Sequence, residues 1–181
     1  MVDHWELLEK LHILGVPDYL IKWSGSFLTQ QEQRVEIGED ISKSLSPNRG
    51  CPQGTLIGLV VFVCHINDLG IPGPALTIKY VDDTTILHSS SDPEDKTIQN
   101  AANLLSDWSL DNKMRLNAKK TKELVINFSR KKSPPNPITI DDTIIERVTN
   151  AKILGIILSD DLTWNAHIDY VSGKVLKDFI C

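Results

Sequence analysis

Cysteine is scarce in this chain and basic charge is in deficit. Cys51, Cys64 and Cys181 are odd in number and show no Cys-x-x-Cys spacing, which argues against a disulfide framework and against a zinc site, and points to a reducing compartment. Lys and Arg number 19 against 24 Asp and Glu, for a formal net charge of −5. A chain that coats nucleic acid by bulk electrostatics needs the opposite balance, so any nucleic-acid contact is local. No basic segment followed by an apolar core opens the sequence, and the longest apolar run, around Leu56 to Ile66, falls short of the roughly 20 residues that span a bilayer. A soluble intracellular protein without membrane contact is expected, in nucleus or cytoplasm. What is present is 181 residues, 41% of them apolar, enough for one domain with room for an appended subdomain.

Tyr80-Val81-Asp82-Asp83 is the stretch of greatest chemical interest. It lies between the alternating run Leu76 to Tyr80 and a second extended run, Thr84 to Leu87. Leu76, Ile78 and Tyr80 share one face at period two, so the segment predicts a β-hairpin with two carboxylates at its turn. Adjacent carboxylates are hard oxygen ligands, and Mg²⁺ takes one or two of them and completes its shell with water and substrate phosphate. A phosphoryl-transfer centre and a plain polar turn both fit these four residues.

In chain order, Asp3 and Glu6 make a capping box for a first helix with the stripe Trp5, Leu8, Leu11, Ile13 and Leu14, ended by Gly15 and Pro17. Pro17 opens a short second helix with Tyr19, Leu20, Trp23 and Phe27. Gln33 to Ile37, Gly38, and Ile41 to Leu45 read as a hairpin. The loop from Ser46 to Gly54, dense in Gly and Pro, leads into an apolar segment, Thr55 to Leu69, whose length favours a buried helix over a strand. Such a loop suits a phosphate at the helix N-terminus, or equally a tight turn. Ser91-Asp92-Pro93-Glu94 starts a helix with the stripe Ile98, Ala102, Leu105 and Trp108. A strand with Leu124, Ile126 and Phe128 on one face comes next, then a solvated loop containing Arg130-Lys131-Lys132. Ile138 to Ile140, Thr143 to Val148 and Lys152 to Leu158 read as short strands, with Asp141-Asp142 and Asp160-Asp161 in exposed turns. Trp164 to Lys177 gives a last amphipathic helix with Ile168, Val171 and Val175 as its stripe.

Taken together, these blocks resemble the reverse transcriptase domain of a non-LTR (LINE-type) retrotransposon. The resemblance rests on Gly50-Cys51-Pro52-Gln53-Gly54 with Ile66-Asn67-Asp68-Leu69, on Tyr80-Val81-Asp82-Asp83, on Trp108 with Leu116 to Thr121, and on Leu154-Gly155 with Leu162-Thr163-Trp164. It extends over essentially the whole chain, in order. It implies an α+β fold with a palm-like antiparallel sheet backed by helices over residues 1–128, and a small β-rich connection toward the thumb over 129–181.

The implied activity is RNA-directed DNA polymerisation, the transfer of nucleotides from dNTPs to a DNA primer 3′-hydroxyl on an RNA template, with Mg²⁺ (or Mn²⁺ in its place). By resemblance, Asp82 and Asp83 are the metal ligands, Asp83 the less essential, and Val81 lies near the primer end. Gly50, Gln53 and Gly54 shape the pocket for the incoming nucleotide. Lys120 protonates the pyrophosphate leaving group, or is one more lysine of a basic loop with Lys119 and Lys122. Cys51, Ile57 and Leu59 depart from the commonest family residues. The family's first catalytic block, with another metal-binding aspartate, is expected upstream of Met1, and Asp3 is expected to cap a helix rather than replace it. On this reading the chain is a fragment inactive on its own. The rival reading is a non-catalytic remnant that binds RNA or a protein. An apolar patch is expected near the first and last helices.

Overall fold

The computed structural model describes residues 2–29, 31–47, 49–51, 54–92, 94–128 and 134–179, and in it the first helix starts where Asp3 places its cap. The Asp3 carboxylate accepts the N–H groups of Trp5 and Glu6 at 3.1 and 3.4 Å, starting α1 (His4–Ile13). Burial pushes the Asp3 carboxyl up, but the Glu6 and Trp5 N–H groups and the charges of Lys113 and Arg49 outweigh it and hold the group below its ordinary value. Glu6 does not close the expected box with Asp3; its carboxylate pairs with Lys113 at 2.7 Å. Gly15, at φ +76°, ends the helix. α2 (Asp18–Thr29) follows Pro17, whose carbonyl accepts the Leu20 and Ile21 N–H groups.

By contact, the chain divides into two compact units, Met1–Leu87 with Leu104–Leu116, and His88–Asn103 with Asn117–Cys181. The first holds α1, α2, the hairpin of β1 (Glu36–Ile37) and β2 (Asp40–Ile41), α3 (Leu56–His65), and the hairpin of β3 (Leu76–Tyr80) and β4 (Asp83–Leu87). Its core is Val2, Leu7, Leu11, Leu28 and Val61, with Leu8, Ile21, Phe27 and Phe62 packed on it. Burying each large side chain of this kind is worth about 1.5–3 kcal/mol. Trp5, at 80% exposure, lies outside that core, so the stripe of α1 runs through Leu7 and Leu11.

α3 differs from expectation in length and in burial. It stops at His65 rather than Leu69, and Leu56, Leu59, Val60 and Val63 are exposed while Gly58, Val61 and His65 are buried. A helix apolar on every face is covered here on one.

In the second unit, α4 (Thr97–Asp111) contributes its first turns, beginning after the Ser91-Asp92 signal rather than at it. Asp95 accepts the Thr97 N–H at 2.7 Å and is held by His88 at 2.9 Å. Ala101, Ala102, Ile140 and Ile145 are buried, and the Gln99 side-chain amide pairs with both backbone groups of Thr139 at 2.9 and 3.0 Å. β6 (Thr139–Ile140) and β7 (Thr143–Ile144) form a hairpin through Asp141-Asp142, tighter than its sequence suggests, and both acids are exposed. β5 (Lys122–Leu124) pairs in parallel with β8 (Glu146–Val148). Glu123 is the buried member of β5, whereas Phe128 is exposed at 82%, so the expected strand is shorter and turned over. β9 (Asn150–Ile153) and β10 (Ile156–Ser159) turn at Leu154-Gly155, and α5 (Asn165–Phe179) closes the described chain. Ile168, Val171 and Val175, the stripe of this helix, are exposed, in line with the apolar surface expected near the last helix.

Among the described residues the strands form five two-stranded pairs rather than one sheet. The architecture is α+β. Among the described residues no helix is long and apolar enough to cross a membrane.

Candidate active site

Alternation of Leu76, Ile78 and Tyr80 with polar residues, and the β-branched run after the acids, form the hairpin as the sequence requires, paired from Leu76↔Leu87 to Tyr80↔Asp83. Val81 and Asp82 are the two loop residues, and Asp83 opens the return strand. The covered face is the reverse of the apolar one. Leu76, Ile78 and Tyr80 are exposed, while Thr77 and Lys79 point inward.

Val81 sits at φ +52°, a left-handed conformation that costs a β-branched residue about 1–3 kcal/mol. In the β1–β2 hairpin the same first loop position is Gly38 at φ +63°, where no Cβ opposes it. The strain therefore lies next to the two carboxylates. Asp82 and Asp83 are exposed, and no hydrogen bond or ion pair among the described residues engages either side chain. Other acids are committed: Asp3 caps α1, Asp68 pairs with Lys10 at 2.7 Å, Asp95 with His88, and Asp161 accepts from Thr163 at 2.9 Å.

Gly50 and Gly54, at φ +97° and +78°, occur in one loop, where glycine is required by the backbone. The Gly50 N–H donates to the Val2 carbonyl at 2.7 Å, and the Gly50 carbonyl accepts from His4 Nε2 at 2.9 Å. Thr55 caps α3 by accepting the Gly58 N–H at 3.0 Å. Burial pushes the neighbouring Cys51 thiol up, so it stays protonated. Gln53 lies outside the described residues, as does the triplet Arg130-Lys131-Lys132. Lys120 belongs to the second unit, exposed, in a turn where its N–H donates to the Asn117 carbonyl at 3.0 Å. A concavity of about 610 Å³ between α1 and α2, lined by Trp5, Leu8, Ile21 and Gly25 among others, includes none of Gly50, Gly54, Asp82, Asp83 and Lys120.

Two lysines without a sequence signal of their own meet at the end of α3. Lys10 Nζ donates to the His65 carbonyl at 2.7 Å and to Asp68, and lies 4.9 Å from the Trp108 ring centroid. Lys79 Nζ donates to the carbonyls of Ile66, Asn67 and Leu69 at 3.0, 3.4 and 2.9 Å.

A family model described as "Reverse transcriptase (RNA-dependent DNA polymerase)" matches residues 1–158. The chain belongs to that family. It is similar to the probable RNA-directed DNA polymerase from transposon X-element of Drosophila melanogaster, 25% identical over 157 residues that cover 83% of this chain and 17% of that protein. The probable RNA-directed DNA polymerase from transposon BS of the same organism is 25% identical over 153 residues, 79% of this chain and 17% of its own length. The chain thus spans about a sixth of these reverse transcriptase relatives.

Reverse transcriptases generally use divalent metal ions. The donor set at the turn fits such an ion in kind, as two adjacent, uncommitted hard oxygen ligands. Among the described residues no group of three His, Cys, Asp or Glu gathers into a ligand set, so Asp82 and Asp83 offer part of a coordination shell.

Proposed function

We propose that this chain is the palm portion of a non-LTR retrotransposon reverse transcriptase, residues 1–128, followed by a β-rich connection toward the thumb, 129–181. Its substrates are then an RNA template, a DNA primer and dNTPs. The observation that supports this most directly is the pair of uncommitted carboxylates at the tip of a two-residue hairpin in a chain of this family.

Asp82 and Asp83 would hold Mg²⁺, or Mn²⁺ in its place. When bound, such ions supply charge neutralisation at the attacking and leaving oxygens. Other parts of the work fall to the chain itself. The strained Val81 backbone presents Asp82 at the tip, beside the primer end. The glycine loop before α3, with Gly50, Gln53 and Gly54, borders the nucleotide, and Lys120 delivers a proton to the departing pyrophosphate oxygen. Two carboxylates do not complete a two-ion clamp, and further ligands come from outside the described residues and from substrate phosphate.

The test is primer extension on a poly(A) template with thymidine triphosphate, in this chain and in a longer polypeptide that spans the polymerase length of its relatives. Incorporation that requires Asp82, lost in Asp82→Ala, supports the assignment. Incorporation that survives Asp82→Ala in the active protein refutes it.

A further inference from the structure

The β3–β4 hairpin carries the carboxylates, yet its apolar face is open to solvent. Hydrophobic burial of Leu76, Ile78 and Tyr80 therefore does not fix where the tip lies. By register the inward face is Thr77 and Lys79 from β3 with Ile86 and Thr84 from β4. The link from α3 to β3 runs through Gly70, Pro72, Gly73 at φ +117° and Pro74, and buries Ile66, Leu69 and Ala75 at its two ends.

The Lys79 side chain adds a polar tie between the hairpin and that segment. The Lys79 ammonium has three donors, and the carbonyls of Ile66, the C-cap of α3, and of Asn67 and Leu69 in the turn after it lie within 2.9–3.4 Å. That end of a helix carries partial negative charge, so the ammonium is held by both geometry and field. Lys79 stands three residues before Asp82 on a strand whose register is continuous to Tyr80↔Asp83.

We propose that Lys79 is the positioning residue of the Asp82–Asp83 turn, pinning β3 to the end of α3 so that the two carboxylates are held at one place. Its role toward a metal rests on the reading given under Proposed function. Lys10 caps the same helix end from α1 through the His65 carbonyl, without touching the hairpin, and serves as the comparison.

Amide hydrogen exchange by NMR on the 181-residue chain, without metal, is the first readout; Mn²⁺-induced broadening of the Asp82 and Asp83 amides is the second. In Lys79→Met, which keeps the stem and removes the donors, protection of residues 80–84 is expected to fall about tenfold relative to the rest of the first unit. Mn²⁺ affinity at the turn is expected to weaken about tenfold, as loss of a supporting residue does. Lys79→Arg, which keeps the charge, restores part of both. Lys10→Met lowers thermal stability and leaves the turn unaltered. Unchanged turn protection in Lys79→Met overturns the proposal, whatever Mn²⁺ does. A uniform loss of protection across the unit overturns it too, because Lys79 would then be a structural contact like any other. If the unsubstituted turn takes no Mn²⁺ while Lys79→Met loosens it, the positioning role stands and the metal-binding reading falls.

Discussion

Glu123 and Arg147 face each other across the parallel pair β5–β8, joined by hydrogen bonds from Nε and an Nη at 2.9 and 3.1 Å. The carboxylate is 8% exposed and the guanidinium 31%. Arg147 also donates to the Pro135 carbonyl at 3.0 Å, tying the Pro-rich segment to the strand. Arg147→Ala leaves a buried carboxylate unpaired and is expected to lower stability by about 2 kcal/mol. Replacing both residues with leucine should cost less than the single change. Urea denaturation of the two variants measures the difference.

Val81 and Gly38 occupy the same loop position in two hairpins, and that gives a paired test. Val81→Gly removes a strained Cβ but adds freedom to the unfolded chain, for a net gain of about 1 kcal/mol. Gly38→Val imposes the strain and lowers stability by a similar amount. Thermal denaturation showing the same sign for both changes would contradict the backbone assignment.

His65 is fully buried, edge-on to Trp108, and neither of its ring nitrogens nor Trp108 Nε1 has a hydrogen-bond partner among the described residues. Burial, and then the Lys10 charge, hold its pKa below the ordinary 6.5, while Asp68 and Glu6 pull the other way. The neutral ring is therefore the folded form. The stability this provides is complete above pH 6.5 and is lost as pH falls from there through the folded pKa. Denaturation at stepped pH should show that slope, and His65→Phe should flatten it.

The core is tested at Leu7 and Leu28, which are 0% and 1% exposed. Leu7→Ala and Leu28→Ala are each expected to cost about 2–5 kcal/mol. Trp5→Ala should stay within about 0.5 kcal/mol, although the apolar pattern of α1 places Trp5 among its core residues.

What could be read from the sequence was what is decided locally. The Asp3 cap, the Gly38 turn and the acidic hairpin depend on a few adjacent residues, and each stands where the pattern puts it. Which face is covered depends on neighbours, and there the pattern fails. Leu76, Ile78 and Tyr80 share a face as expected, yet that face is open. Periodicity identifies a face without saying what packs on it. Of the candidate site, the adjacency of Asp82 and Asp83 followed from the hairpin. The inward turn of Lys79 did not, because a lysine in an alternating strand reads as the solvent side.

At the end of α3 the Ile66 N–H closes on the Phe62 carbonyl, and two distant lysines add to this local cap: Lys10, 55 residues before His65, and Lys79, 13 residues after Ile66. A peptide of residues 55–69 lacks both donors, so its helix would run on toward Gly70 or fray. Closing the longer of these loops is a late and entropically costly event. The His65 carbonyl of this helix therefore gains its ammonium partner only when the chain's first helix has docked.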